Sequence, residues 1–345
     1  NKPRYTSIVY FSYSIIGKLQ FIKCIGENKN MYPIDRPEKI YRYQKIDLVT
    51  MNSLFDDKLY FSDPSKFNDA FERSPVITGD SEIDDLRLIL KKLIEERTER
   101  EVLSLLSQVG LNDIKAINFS KKRGDERARF SLKDVAYMAT NPDNGFSDIN
   151  TAEYAGLIRE IDDEIKKNYT KGVCCFSSTM DNNLLWSHYG DSHSGFCIGY
   201  EFFNPEELNG NKGPDLHKVD YREKRELLTS LIYKAVIHDN INAKNDLDSK
   251  VLLQKSKGWE YEKEWRLLDN KGSQESSLKL IDVTFGLRCD YSMIGIIVNV
   301  LKDRVKFYKI YDAEKSFELQ RHELDPCAIL AGYPRGTSRY CFSPI

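Results

Sequence analysis

The sequence contains little of what marks metal sites and disulfide-stabilised domains. Histidine occurs only five times in 345 residues, and the seven cysteines are an odd number. The cysteines stand at positions 24, 174, 175, 197, 289, 327 and 341, with no Cys-x-x-Cys spacing and no His-x-x-x-His partner. We therefore predict neither a metal site nor a disulfide framework, and reduced thiols indicate a cytoplasmic protein.

Three further absences narrow the class of protein. The chain has no apolar run of about 18 residues, the length that a membrane-spanning helix requires. It has no Gly-x-Gly-x-x-Gly loop, which argues against a Rossmann-type dehydrogenase. Its formal charge of −2 excludes a uniformly basic nucleic-acid coat, so any contact with phosphates requires a local patch.

Aromatic and charged residues are abundant. Aromatics make up 12% of the chain and charged residues 30%, so we expect a soluble protein with much β-structure. No internal repeat or proline-rich hinge divides the chain. We predict one α/β domain over residues 31–345 with a helical insertion at about 76–170. Residues 1–30 form an N-terminal extension whose nature stays open.

Periodicity predicts a mixed fold of the α/β (α+β) class. Strand, helix and strand follow one another between Ile40 and Ser62. Apolar residues at helical spacing predict helices over 81–109 and 151–168. Apolar segments predict strands at "KGVCCFSS", "FCIGYEF", "LKLIDVTFG" and "MIGIIVNV".

Residues 258–268 read "GWEYEKEWRLL", in which Glu260, Glu262 and Glu264 follow at two-residue spacing. On a strand, the three glutamates would share one face with Arg266. An exposed acidic edge with a weak ion pair between Glu264 and Arg266 is one interpretation. The neighbouring tryptophans favour the other, a partly buried reactive site.

Two more segments combine polar and aromatic residues. In "FNDAFE", Asn68, Asp69 and Glu72 either bond their own backbone in a turn or shape a ligand site. In "LLWSHYGDSHSGF", His188 is either a structural donor or a group that orients or protonates a substrate. A metal held by His188 and His193 would lack nearby carboxylate ligands.

The predicted insertion also contains a basic segment. Its cations are Lys121, Lys122, Arg123, Arg127 and Arg129, diluted by two acidic residues. Either this is a solvated surface, or it is a local patch that contacts nucleic acid or a protein acceptor.

Taken in order, these blocks resemble a bacterial family of domain-of-unknown-function proteins. The shared blocks are Y-[KR]-Y, F-N-D-x-F-E, C-F-S, W-x-H-Y and W-x-x-E-x-E-x-R, and the resemblance spans about residues 40–300. Ala70 stands where the family pattern has proline, which loosens that turn. Membership of such a family implies no particular activity.

The order of elements is also similar to that of the ADP-ribosyltransferase fold. That similarity implies mixed, largely antiparallel central sheets and NAD as substrate. It implies that Glu264 stabilises an oxocarbenium-like centre and that Glu262 contacts or activates the acceptor. His188 would be the third catalytic residue. The substrate- or cofactor-binding residues would be Arg42, Tyr60, Asn68, Asp69, Glu72, Ser177, Trp186, Tyr189, Trp259 and Arg266.

The two resemblances together imply an effector, a toxin or antiphage protein, that modifies nucleic acid or protein or hydrolyses NAD. An antitoxin or another regulator would then be a partner. Two alternatives stay open. One is a metal-dependent nuclease built from Asp69, Glu72, Glu262 and Glu264, and the other is a non-enzymatic sensor whose aromatic pocket binds a ligand without turnover.

Overall fold

The computed structural model describes residues 35–332 except residues 70, 73, 205 and 208–212. The described chain divides into two compact units. The helical unit contains residues 77–169 and 227–247, and the sheet unit contains residues 35–76, 170–226 and 248–332. The predicted extension, residues 1–30, lies outside the described residues, and the prediction of a single domain stays a prediction.

The elements follow in chain order. The strands are β1 (Lys39–Gln44), β2 (Lys58–Phe61), β3 (Val76–Thr78), β4 (Gly172–Ser177), β5 (Phe196–Glu201), β6 (Leu216–Lys218), β7 (Asp220–Arg222), β8 (Glu226–Leu228), β9 (Gln254–Ser256), β10 (Glu264–Asp269), β11 (Gly272–Glu275), β12 (Lys279–Phe285), β13 (Lys306–Asp312) and β14 (Leu319–Leu324). The α-helices are α1 (Leu48–Phe55), α2 (Ile83–Gln108), α3 (Ile114–Ala139), α4 (Ile149–Asn168), α5 (Asn183–His188), α6 (Thr229–Val236), α7 (Ile241–Asp248), α8 (Tyr291–Leu301) and α9 (Pro326–Ala331).

The sheet unit is built on an eight-stranded sheet. Its strand order is β14-β13-β12-β5-β1-β4-β10-β6, and every neighbouring pair is antiparallel except β12 with β13. This confirms the predicted mixed fold with a largely antiparallel central sheet. The main core contains Phe196, Ile198, Phe285 and Phe307 from the strands, with Ile297 from α8.

Strands β1 and β4 pair at a single position. Tyr41 is opposite Ser177, whereas β1 pairs with β5 along its whole length. Beyond that position β4 turns to another neighbour, because Val173 forms a bridge with Ser62 after β2. The two strands therefore separate, and a cavity opens between them.

Helices α2, α3 and α4 form most of the helical unit. The predicted helix over 81–109 is present as α2, and the helix predicted over 151–168 is present as α4. Arg97 of α2 donates to Glu164 of α4 at 2.6 Å, and both side chains are largely buried. Periodicity did not predict α3, because its buried stripe consists mostly of small residues: Ala116, Ser120, Gly124, Ala128, Val135 and Ala139.

The strand predicted at "MIGIIVNV" is wrong, since these residues belong to α8. The β-branched side chains favour a strand, but Asp290 caps a helix here by accepting from the backbone of Ser292 at 2.7 Å. Ile294, Ile297 and Val298 are then buried together, at the spacing of one helical face.

Among the described helices, none combines the length and apolar character needed to cross a membrane.

Candidate functional site

The cavity between β1 and β4 lies within the sheet unit. It has a volume of about 270 Å³ and is lined by β1, the loop that follows β2, β4 and α5. Its charged lining residues include three cations and three carboxylates. The cations are Arg42, Lys66 and Lys255, and the carboxylates are Glu72, Glu262 and Glu264. The cavity is therefore the candidate functional site.

The backbone at Lys263 places two glutamates inside the protein. Residues Lys257–Glu262 form a 3₁₀ helix, Lys263 adopts a left-handed conformation with φ of 46°, and β10 begins at Glu264. As a result Glu262 and Glu264 are each only 4% exposed, whereas Glu260 is exposed. An unbroken strand from Glu260 would not have separated the three residues in this way.

Lys255 is the hub of a buried charge cluster. Its Nζ lies 2.5 Å from Glu262 Oε2, 3.0 Å from Glu72 Oε1 and 3.1 Å from Glu264 Oε2. The four side chains are at least nine-tenths buried. Such charges are stable away from water only when each one is paired and hydrogen-bonded.

Arg266 is the second cation of the cluster. Its Nε donates to Glu264 Oε1 at 2.8 Å, and its Nη2 donates to Glu72 Oε2 at 2.7 Å and to Glu264 Oε2 at 3.1 Å. Its Nη1 donates to the carbonyl of Leu252 at 2.6 Å. The ion pair between Glu264 and Arg266 that the sequence indicated is present, but it is buried rather than exposed.

Glu262 has neutral partners as well. The hydroxyl of Tyr189 donates to Glu262 Oε1 at 2.8 Å, and Asn68 Nδ2 donates to the same hydroxyl at 3.4 Å. The hydroxyl of Ser177 donates to the backbone carbonyl of Glu262 at 2.6 Å. Three residues predicted for the site therefore meet around Glu262.

The carboxylates of Glu262 and Glu264 have pKa values shifted in opposite directions. Burial raises the pKa of Glu264, but the charges of Arg266 and Lys255 outweigh burial and hold that pKa at about 2. For Glu262, burial dominates over the attraction of Lys255, so its pKa is raised. Neighbouring groups with pKa values pushed apart are typical of sites that combine a fixed charge with proton transfer.

Arg42 of β1 also faces the cavity. One of its guanidinium nitrogens, Nη2, donates to the backbone carbonyl of Tyr60 at 3.0 Å, and the side chain is half-buried. A guanidinium carries five N–H donors, so further donors remain for a ligand. Tyr60 itself is 44% exposed and is not among the residues that line the cavity.

Besides Tyr60 and the buried Arg266, four more predicted residues do not line the cavity. Trp186 is fully buried, packs edge-on against Tyr43 and donates to the carbonyl of Met180, so it offers no open face for stacking. His188 is exposed and lies 6.3 Å from the half-buried ring of Trp259, measured between centroids. Asp69 accepts from the backbone of Phe71 at 2.9 Å, which is the predicted turn.

Sequence reasoning missed Lys255, and it did not assign Cys175 to the site. Lys255 lies in "LLQKSKGW", where an isolated lysine gives no signal that distinguishes it from a surface residue. Cys175 lines the cavity, but burial and the charge of Glu264 raise the pKa of its thiol well above the usual range. Cys175 therefore stays protonated and is a poor nucleophile.

The basic segment lies on α3 of the helical unit, where its five cations are all exposed.

The carboxylates of the alternative nuclease site are partly together, since Glu72, Glu262 and Glu264 surround one point. The ammonium of Lys255 occupies that point. Within the described part of the chain, no group of three or more potential ligands is arranged to hold a metal ion.

No curated protein and no solved structure matches the chain. One family model does match, over a segment that runs from α5 to β10 and contains Tyr189, Lys255, Glu262 and Glu264. Arg42, Glu72 and Ser177 lie outside that segment. The segment of residues 185–267 matches the family described as "Protein of unknown function (DUF2971)", which confirms the resemblance to a domain of unknown function there.

Proposed function

We propose that the cavity binds the nicotinamide and the adjoining ribose of NAD. The protein then cleaves the bond between the nicotinamide and that ribose. One observation carries this proposal. The adjacent strands β1, β4 and β10 bring Arg42, Ser177 and Glu264 to one cavity. The resemblance to ADP-ribosyltransferases implies those residues on successive strands, and here Ser177 is opposite both Tyr41 and Glu264.

The charge cluster suits the chemistry of this cleavage. The C1′–N bond breaks, its electron pair leaves with nicotinamide, and C1′ acquires oxocarbenium character. Glu264, ionised because Arg266 and Lys255 hold it so, supplies a fixed negative charge beside that centre. A hydroxyl of the acceptor, or water, then bonds to C1′ and gives its proton to Glu262, whose pKa is raised.

The size of the cavity limits what it holds. About 270 Å³ is close to the lower end of the range for small-molecule sites, roughly 300–1,000 Å³. The nicotinamide and its ribose are of that order, and the rest of the dinucleotide would extend outside. Arg42 and Lys66 are the lining cations that would meet the pyrophosphate at the exit.

The direct test is release of nicotinamide from NAD, measured by chromatography with and without added nucleic acid or protein. We expect release by the wild-type protein and none by Glu262→Gln. Glu260→Gln is the matched control, because Glu260 is exposed in the same segment and its change should leave release intact. Equal release by wild-type protein and Glu262→Gln would overturn the mechanism, and tight NAD binding without release would instead support a sensor.

The effector role is part of the same proposal. A cytoplasmic enzyme that consumes NAD, or modifies a nucleic acid or protein, would arrest the growth of a bacterial host when its regulator or antitoxin is absent. Induced expression should therefore stop growth and lower cellular NAD, whereas expression of Glu262→Gln at the same level should not. Growth arrest of equal strength with both proteins would contradict this role.

A further inference from the structure

Helix α3 of the helical unit has an outer face that the cavity chemistry does not explain. Phe119, Phe130 and Tyr137 are 51%, 62% and 73% exposed. They are separated by eleven and seven residues, which is close to three and two helical turns, so they lie in one line over roughly 27 Å. Large aromatic side chains that could stabilise a core are instead in contact with solvent.

The opposite side of α3 explains why these rings are outside. The buried positions are small residues such as Ser120, Gly124 and Ala128, and a Cβ added to Gly124 would lie 3.0 Å from the carbonyl oxygen of Glu95. Close packing on α2 therefore leaves no room for a large side chain on the inner face. The aromatic line is a separate feature of the surface rather than part of the core.

Exposed cations flank the aromatic line. Two exposed carboxylates, Glu126 and Asp134, lie within about 80° of it on the helix, at 100° per residue. The exposed cations within the same angle are Lys115, Lys122, Arg123, Arg127, Arg129 and Lys133. Six cations against two carboxylates give this face four net positive charges, in a chain whose net charge is −2. Arg123 pairs with Glu126 and Arg129 with Asp125, but exposed pairs of this kind contribute only about 0–1 kcal/mol and exchange readily for phosphates.

We propose that this face of α3 binds single-stranded nucleic acid. Unpaired bases would stack on the three rings while the flanking cations contact the phosphates, which is how sequence-tolerant binders hold single strands. A duplex keeps its bases stacked inside and offers the rings nothing to contact. The proposal uses none of the cavity residues and holds whether or not the protein cleaves NAD.

The test is fluorescence anisotropy of a labelled twenty-nucleotide oligo(dT) or oligo(U) with the full chain at low salt. Binding should weaken on raising the salt, and Phe130→Ala or Tyr137→Ala should each weaken it at least about 5-fold, because stacking on one ring contributes about 1–3 kcal/mol. Lys122→Glu and Lys133→Glu should weaken binding and reduce the salt dependence.

Two matched controls should bind as the wild type does. Lys121→Glu changes a cation on the other side of α3, and Phe146→Ala removes an exposed ring elsewhere in the helical unit. Circular dichroism checks that each variant folds. Equal affinity for a duplex of the same length, unchanged binding by both aromatic variants, or equal binding of polyglutamate would each overturn the proposal. Nicotinamide release without nucleic acid should be the same in all these variants, so the two proposals can fail separately.

Discussion

The ammonium of Lys255 lies 2.5 Å from Oε2 of Glu262, and both side chains are buried in the sheet unit. The same ammonium contacts the carboxylates of Glu72 and Glu264. One cation therefore joins residues that are up to 192 positions apart in the chain. Removing any one of these side chains leaves a charge buried without a partner of opposite charge. Substitutions in this cluster should therefore lower the free energy of unfolding strongly.

The first prediction concerns stability. Lys255→Met should lower the free energy of unfolding by about 3–5 kcal/mol, since three carboxylates lose their shared cation. Urea denaturation followed by circular dichroism measures the change. Lys257→Met is the control, because Lys257 is exposed and its pair with Glu223 is at the surface. Equal stability of the two variants would show that the cluster contributes nothing to the fold.

The second prediction concerns acid. Folding lowers the pKa of Glu264 from 4.5 to about 2, so its ionised form stabilises the fold above pH 4.5 and this contribution is lost as the pH falls towards 2. The difference corresponds to about 3 kcal/mol at neutral pH. Glu264→Gln should be less stable than the wild type at pH 7, and the gap should narrow on acidification to pH 3. A gap that stays constant would contradict the assigned pKa.

The third prediction concerns Glu262, whose effect on stability should have the opposite dependence on pH. Burial raises the pKa of Glu262, so its protonated form stabilises the fold. This stabilisation is fully present below pH 4.5 and is lost as the pH rises through the pKa that Glu262 has in the folded protein. Between pH 4.5 and pH 8 the wild type should therefore lose stability relative to Glu262→Gln. Urea denaturation across this range checks the trend, and Glu260→Gln should run parallel to the wild type. Parallel curves for Glu262→Gln as well would rule out a raised pKa.

The fourth prediction concerns binding and depends on the proposed function. Arg42→Met should raise the KM for NAD about 10- to 100-fold, because hydrogen bonds to a charged group contribute about 1.5–3 kcal/mol. Steady-state nicotinamide release measures KM and kcat separately. Lys39→Met, on the same strand but away from the cavity lining, should leave KM unchanged. An unaltered KM in Arg42→Met would remove Arg42 from the site.

The fifth prediction tests the helical unit alone. Gly124→Leu should lower the free energy of unfolding by about 1–3 kcal/mol, because its side chain would meet the backbone of Glu95 on α2. Thermal denaturation measures the loss. Asn118→Leu is a matched control at an exposed position of α3 and should have little effect. A stable Gly124→Leu protein would mean that α2 and α3 are not as closely packed as described.

Local pattern was sufficient for much of the fold. Alternation and apolar runs predicted β1, β4, β5 and β12, because strands that pack on a core show that pattern in the sequence itself. The same reasoning failed at α8, where β-branched residues are typical of strands but a capped helix buries them. It also passed over α3, whose small buried residues give no strong apolar period.

For the site, the sequence determined which groups were available, and the blocks that contain Arg42, Ser177, Glu262 and Glu264 could be recognised from it. It did not determine which of these groups meet. Lys255 looks like any surface lysine until the fold of the sheet unit brings it among three carboxylates, and Trp186 looks like a pocket wall until the core covers it. Only the tertiary structure decided that Glu264 is held ionised while the pKa of Glu262 is raised, because both effects depend on burial and on charges far away in the chain.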